Sequence, residues 1–508
     1  MRAMITAALA VLFASSVEAA PPKLQIVISV DQFSSDLFDE YRPHFTGGLA
    51  RLAQGTVFRN GYQGHAATET CPGHSTILTG SRPTRNGIIA NNWFDLSLGR
   101  SDKSVYCAED ESVAGSSSSS YTVSPVHLKV KTLGELMKAQ RPGSRSVVVA
   151  GKDRAAVMMS GRAVDQRWYW DGKTFVTDLK NGAVPRSIAR TRAALAAAIA
   201  APREALELPA FCSAKARQIA VEGGGKPVGT GRFARAAGDA RGFRTSPEFD
   251  GATLALSAAL IGEMKLGQSK GTDLIAIGLS ATDYVGHSYG TNGAEMCLQL
   301  FSLDRDLGDF FRLLDGQGLD YSVALTADHG GQDIPERLRS QGIADAVRID
   351  PALSATAMGK VIGVRLGLRG PVLIGGFGGD VYIDRALNVA DRAKVLKQAL
   401  TAYRAHPEIE TAFSADQLKR TPSPTATPDR WTLIERAKAS FDPQRSGDLI
   451  VLLRRHVTPI PDTKSYVATH GSPWDYDRRV PILFWRQGMA PAQREQPIET
   501  VDIMPTLA

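Results

Sequence analysis

Six carboxylate and imidazole side chains fall where short apolar runs stop. They are Asp31 after LQIVISV, Asp283 and His287 in SATDYVGHSYG, Asp328 and His329 in TADHGG, and His470 in THGSPWDYDRR. Gathered at one sheet edge, these groups would repel and desolvate one another unless cations held them, and two divalent ions would resolve that. A mixed aspartate and histidine set favours zinc or a similar transition metal over calcium or magnesium, which prefer shells of oxygen alone. Asp283 and His287 are four apart and share one face if the piece is helical. Asp328 and His329 are adjacent on a turn that glycines permit, so they can approach an ion from different sides.

A second stretch, ATETCPGHSTILTG at residues 67–80, sets two threonines, a cysteine and a histidine around a Pro-Gly turn. Residue types alone leave open which of them reacts. A hydroxyl is a poor nucleophile while protonated, but metal coordination lowers its pKa as it does for bound water, from ~15.7 to about 7 in a zinc site. A thiolate is the better free nucleophile. The run PGHSTILTG suits a helix whose N-terminus turns backbone N–H groups toward phosphoryl oxygens. Lys152 and Arg154, in SVVVAGKDR, point the same way and Asp153 the opposite way if the chain stays extended after its strand.

Elements must carry these groups to one place. Continuous hydrophobicity in 24–33, 146–154, 273–283 and 321–331 suits buried parallel strands with helices on both faces, and in such sheets the site lies beyond the carboxyl ends of the strands. Amphipathic stretches at 132–141, 246–267 and 294–318 read as helices, the second with Ser246 as N-cap and Pro247 in its first turn. The alternation means an α/β sandwich. Three stretches interrupt it. Residues 96–128 contain GSSSSSY, a flexible surface loop by composition. Residues 155–245, with RWYWDGKTFVTD and an Ala-rich helix, form an insertion. Residues 340–465 form a small α+β cap before the chain returns with GDLIVLLRRH. The sequence stops at VDIMPTLA, where an apolar pattern begins, so an incomplete C-terminus is expected.

The first twenty residues have the grammar of a secretory signal peptide: one Arg, an apolar run shorter than the ~20 residues that span a bilayer, and small residues before Pro21. A periplasmic or secreted protein without a membrane anchor follows. Four cysteines (Cys71, Cys107, Cys212, Cys297) in an oxidising compartment allow up to two disulfides in three connectivities. The net charge of +7 tolerates anionic substrates. The basic residues are scattered with no basic-aromatic stripe, so no nucleic-acid partner is indicated.

Seven motifs in order, LQIVISVDQF, TETCPGHSTILTG, NGIIANNWFD, GKDR, SATDYVGHSYG, TADHGG and THGSPWDYDRRVPILF, resemble the threonine-nucleophile branch of the alkaline phosphatase superfamily. This group is shared by nucleotide pyrophosphatase/phosphodiesterases and certain periplasmic phosphate-monoester hydrolases. The resemblance implies an alkaline-phosphatase-like sandwich with a mostly parallel central sheet. It also implies two zinc ions, one held by Asp283, His287 and His470, the other by Asp31, Asp328, His329 and the nucleophile oxygen. The family's T-x-P-x-H motif matches Thr70, with Pro72 and His74 following; Thr68 lies two residues too early. Sulfatases of the same superfamily use a modified cysteine, but in another motif, so Cys71 reads as a small packing residue and His74 as a helix residue beside the site.

A monoester dianion carries more charge on its non-bridging oxygens than a diester, so a monoesterase should offer extra cationic donors there. The pair Lys152 and Arg154 resembles the monoesterase branch; Asn91 matches the family's phosphate-binding asparagine, with Asn92 as the adjacent alternative. The resulting expectation is an exported alkaline phosphatase acting on small phosphate esters through a phosphothreonine, with a monomer favoured. Its competitors are a phosphodiesterase or pyrophosphatase on the same metals and, more distantly, a non-catalytic zinc-binding surface protein.

Overall fold

The computed structural model describes residues 20–180 and 183–508. All of the signal segment except Ala20 lies outside them. Ten strands build the main sheet: β1 (Leu24–Val30), β2 (Thr56–Tyr62), β3 (Ser146–Ala150), β4 (Gln166–Trp170), β5 (Phe175–Val176), β6 (Asp273–Leu279), β7 (Tyr321–Thr326), β8 (Arg479–Arg486), β9 (Ala492–Arg494) and β10 (Ile498–Glu499). Their order is β9-β2-β8-β7-β1-β6-β3-β4-β5, with β10 also on β2. The central five, β7-β1-β6-β3-β4, are all parallel, and β8 runs antiparallel between β7 and β2.

Every residue of β1, β3 and β6 is buried, which explains their unbroken apolar runs. Successive residues feed opposite layers. Ile26, Ile28, Val147 and Val149 belong to one core with Leu256, Leu260 and Leu303, whereas Val27, Val148 and Ala150 belong to a second core with Ile77, Ala156 and Ile503. Helices therefore cover both faces. Pairing is level at the carboxyl ends, with Val30 opposite Leu279, Ser29 opposite Thr326 and Ala150 opposite Gly278. Whatever follows these strands emerges at one height.

The helices that matter for the site are α1 (Thr70–Thr79), α2 (Asp153–Ser160), α3 (Glu248–Glu263), α4 (Ala281–Tyr289) and α5 (Ala294–Gly316). The stretch at 132–141 is a helix from Leu133 to Gln140, started by a Thr132/Glu135 capping box. α3 begins later than Ser246 suggests: that hydroxyl donates to Phe243 O at 2.9 Å instead of capping.

Segment 155–245 enters the fold in parts. Its RWYW run is β4, an added parallel strand whose Trp168 and Trp170 pack in the main core. The following helix, Arg186–Ala200, lies on α3, and a Cys212–Cys297 disulfide ties the rest to α5. Residues 340–465 hold a second, four-stranded antiparallel sheet in the order Leu373–Gly375, Gly379–Ile383, Leu449–Leu453, Ile409–Ser414. Helices Ala355–Leu366 and Val389–Arg404 share a separate core with it. GDLIVLLRRH thus belongs to this sheet, and the return to the main sheet is β8. Leu449, Val451 and Leu453 face one core and Ile450 and Leu452 another, so this strand is buried on both sides like a central strand of the main sheet.

Candidate active site

Four adjacent strands deliver the predicted side chains. Asp31 follows β1 directly, Asp328 and His329 follow β7 after Ala327, Lys152 follows β3 after Gly151, and α4 begins two residues beyond β6 and carries Asp283 and His287. Thr70 opens α1, reached from β2. Gly73 lets α1 sit this close to β7, because a Cβ there would fall 2.0 Å from the Asp328 carbonyl oxygen. His470 arrives from the loop between the cap and β8.

Two clusters result. Candidate ligand atoms of Asp31, Asp328 and His329 lie within 4.8 Å of one another, and so do those of Asp283, His287 and His470. His329 Nε2 stands 3.4 Å from Asp31 Oδ1 and 3.3 Å from Asp328 Oδ2. His287 and His470 place Nε2 3.3 and 3.5 Å from Asp283 Oδ1. The clusters touch through the stacked rings of His329 and His470, with centroids 3.6 Å apart. Each of the three histidines turns Nδ1 to a backbone carbonyl at 2.8 Å: Ala468 for His287, Gly330 for His329 and Thr68 for His470. Such a contact fixes the tautomer that leaves the Nε2 lone pair facing the cluster.

Lys152 Nζ lies 2.6 Å from Asp31 Oδ2 and 2.5 Å from Asp283 Oδ2. Against the penalty of burial, these two carboxylates hold the ammonium above its ordinary range. The charges respond unequally. Burial, with Asp283 and Asp328, pushes Asp31 well up. Asp283, despite burial, is held well below the usual carboxylate range by Lys152 and His287, and Asp328 is held low by His329 and His74. Burial takes His329 down to about 3.

The donor set fits divalent cations. Three buried carboxylates face one buried ammonium. Asp31 Oδ1 and Oδ2, Asp283 Oδ1, Asp328 Oδ2 and His329 Nε2 are buried without an aligned hydrogen-bond partner, close ionic neighbours notwithstanding. Buried polar atoms in such number stay unpaired only where something else satisfies them.

Thr70 Oγ1 is 3.5 Å from Lys152 Nζ and 3.5 Å from Arg154 Nη2. The route differs from the expected extended chain: Asp153 starts α2, and Lys152 precedes it in extended conformation. A carboxylate in the first turn favours a helix there. Asn91 uses Oδ1 to accept the Cys71 N–H at 2.8 Å, which leaves its amide hydrogens free; Asn92 is exposed on a short strand. His74 lies in α1 with Nδ1 2.9 Å from Thr70 O and 3.0 Å from Asp328 Oδ2. Cys71 is more than a packing residue, because it is disulfide-bonded to Cys107.

Several neighbours of the site were not singled out by the sequence. Glu69 Oε2 accepts the Asn91 N–H at 2.7 Å, and burial raises its pKa. Tyr106 and Tyr121 reach the site from 96–128, which is ordered: Ser118 donates N–H and Oγ–H to Asp102 Oδ2 at 2.8 Å. Parity of the cysteines was the available signal, since pairing Cys71 with Cys107 folds this segment onto α1. A cleft of about 650 Å³ opens from the site toward the cap, lined by Glu69, Asn91, Arg154, His287 and His470 on one side and Phe377 and Tyr382 on the other.

The type I phosphodiesterase/nucleotide pyrophosphatase family matches residues 25–473. Alkaline phosphatase PhoK of a Sphingomonas species is 54% identical over 500 residues, 97% of this chain and 89% of that protein. Alkaline phosphatase PhoD of Zymomonas mobilis is 46% identical over 96% of this chain and 84% of that protein. A crystal structure of alkaline phosphatase PafA superposes with a TM-score of 0.82 at 27% identity, covering 96% of each chain.

Proposed function

The chain belongs to the type I phosphodiesterase/nucleotide pyrophosphatase family, and on that premise we propose that it is an alkaline phosphatase whose nucleophile is Thr70. Its class, phosphoric monoester hydrolase, follows the relatives that resemble it along nearly its whole length. The observation that carries the site is the placement of Lys152 Nζ and Arg154 Nη2, each 3.5 Å from Thr70 Oγ1, beside two aspartate-histidine clusters.

Zinc would be held at two positions, by Asp283, His287 and His470 and by Asp31, Asp328 and His329 with the Thr70 oxygen; when bound it lowers the hydroxyl pKa and neutralises charge on the leaving oxygen. Thr70 Oγ1 attacks phosphorus in line, the ester oxygen departs toward the cleft, and a phosphothreonine forms. Lys152, Arg154 and the Asn91 amide meet the non-bridging oxygens and stabilise charge there without reorganising. Water then enters from the vacated side and releases phosphate. Three cationic or amide donors suit a dianion, whereas a diester would bring an uncharged substituent to one of them. Small phosphate esters are the substrates, a monomer is the expected form, and residues 1–20 support export.

The test compares the purified, metal-analysed protein and its Lys152→Ala/Arg154→Ala variant on matched aryl monoester and diester substrates, with EDTA as control. Monoester turnover should fall on the order of 10³-fold while diester turnover changes far less. Equal losses would assign the site to diesters or pyrophosphates. Two zinc ions per chain without hydrolysis of any ester would leave a non-catalytic zinc-binding protein.

A further inference from the structure

Arg154 is held from behind by groups that no motif announces. Its Nη2 faces Thr70, Nη1 stands 3.5 Å from the Tyr106 phenol oxygen, and Nε is buried without a partner. Tyr106 in turn donates its O–H to Asp153 Oδ1 at 2.7 Å, and Tyr121 donates to Oδ2 at 2.7 Å. Asp153 Oδ1 also accepts the Arg154 N–H at 2.7 Å. One carboxylate thus gathers both phenols, and the Tyr106 oxygen keeps its lone pairs for the guanidinium. Burial and the Asp153 charge raise the pKa of both phenols, so they stay protonated and donating. The two rings lie 4.6 Å apart.

This group is anchored to the nucleophile helix. Cys107, next to Tyr106, is bonded to Cys71, next to Thr70, and its N–H donates to Asn91 O at 2.9 Å. Cys71, Cys107, Val105, Trp93, Val157 and Met158 share one small core, so α1, α2 and segment 96–128 are packed as a unit. Lys152 needs no such help, because Asp31 and Asp283 hold its ammonium directly. A long guanidinium side chain with no carboxylate in ion-pair contact among the described residues needs another restraint to keep one rotamer.

We propose that segment 96–128 is a brace for Arg154, in which Tyr106 and Tyr121, joined through Asp153, are positioning residues that aim the guanidinium at the phosphoryl site and so set the preference for monoesters. The proposal rests on the reading of Arg154 given above, and its test separates the two. It is a double-mutant cycle of Tyr106→Phe and Arg154→Ala in the zinc-loaded full chain, read as kcat/KM on matched aryl monoester and diester and as competitive inhibition by inorganic phosphate. Tyr106→Phe should lower monoester kcat/KM and weaken phosphate inhibition about three- to tenfold while diester kcat/KM stays within about twofold. In the Arg154→Ala background it should change neither. Tyr121→Phe should repeat the pattern more weakly, with zinc content unaltered. Additive losses in the cycle, or equal losses on both substrates, would overturn the brace while leaving Arg154 its role. An Arg154→Ala variant with undiminished monoester turnover would overturn both.

Discussion

The two candidate ligand clusters differ in depth and in what holds them. Asp31, Asp328 and His329 are each 0% exposed and follow neighbouring strands β1 and β7, so the sheet fixes their backbone. In the other cluster Asp283 is buried, the His287 side chain is 16% exposed and that of His470 6%, and both histidines line the cleft. That cluster also depends on a surface loop: Val467 N–H donates to His287 O at 2.8 Å, and Ala468 supplies the carbonyl that orients His287. On the proposed function the difference suits two tasks. A group that activates Thr70 gains from a dry, rigid surrounding, where charge interactions are stronger. A group that meets the leaving oxygen must stay within reach of departing alcohol and incoming water.

Ligand deletion tests this division most severely. Asp328→Ala should remove the buried ion together with Thr70 activation and lower kcat/KM on the order of 10⁴-fold, whereas His287→Ala should cost on the order of 10²-fold and be partly restored by added zinc. Metal content and monoester kinetics of both variants check the ranking. The reverse order would mean that the open cluster, and not the buried one, activates the nucleophile.

Acid should separate the clusters more gently. Against burial, Asp283 raises the pKa of His470 above its ordinary value of 6.5, and a histidine binds metal only when neutral, so protons compete for the open cluster already near neutrality. His329, lowered to about 3 by burial, stays neutral across that range. Asp31 takes a proton more readily than usual through burial and repulsion from Asp283 and Asp328, and a bound cation relieves that repulsion as it relieves the pull of Asp283 on His470. As pH falls from about 8 to about 5, zinc should leave in two steps, the open cluster first, and activity should follow the first step. Metal analysis after dialysis at stepped pH reads this directly. Simultaneous release would erase the distinction.

The candidate ligands Asp31, Asp283, His287, Asp328 and His329 were legible because they stand just beyond unbroken apolar runs, and β1, β3 and β6 are buried throughout as such runs require, whereas His470 and Thr70 were legible through the motifs that hold them. The support around them was not. GSSSSSY has the composition of a linker, yet Asp102 and the Cys71–Cys107 bond fold its neighbourhood against Arg154, and neither long-range contact leaves a local pattern. LIVLL is buried on both faces, by the core of the cap and by a small core that also takes in Ala66, and so carries the signature of a main-sheet strand. RWYW reads as part of the 155–245 insertion, yet it is strand β4 of the main sheet, with Arg167 buried against Asp178 and both tryptophans packed inward. Periodicity reports burial, and it does not report which core does the burying.

The smallest effect concerns the partner behind the buried cluster. His74 Nδ1 lies 3.0 Å from Asp328 Oδ2 and 2.9 Å from Thr70 O, joining a ligand to the backbone of the nucleophile within one helix. Orienting contacts of this type are worth about ten- to a hundredfold in metal affinity. His74→Gln keeps a donor of similar reach on α1 and should weaken zinc binding at the buried cluster about tenfold. At saturating zinc the turnover should stay within about threefold of the parent, because neither Thr70 nor Arg154 has moved. Zinc titration of the metal-stripped protein, followed by intrinsic fluorescence and activity, measures both quantities. A large fall in turnover that zinc does not restore would show that His74 acts on Thr70 itself, and the buried cluster would then owe its rigidity to the strands alone.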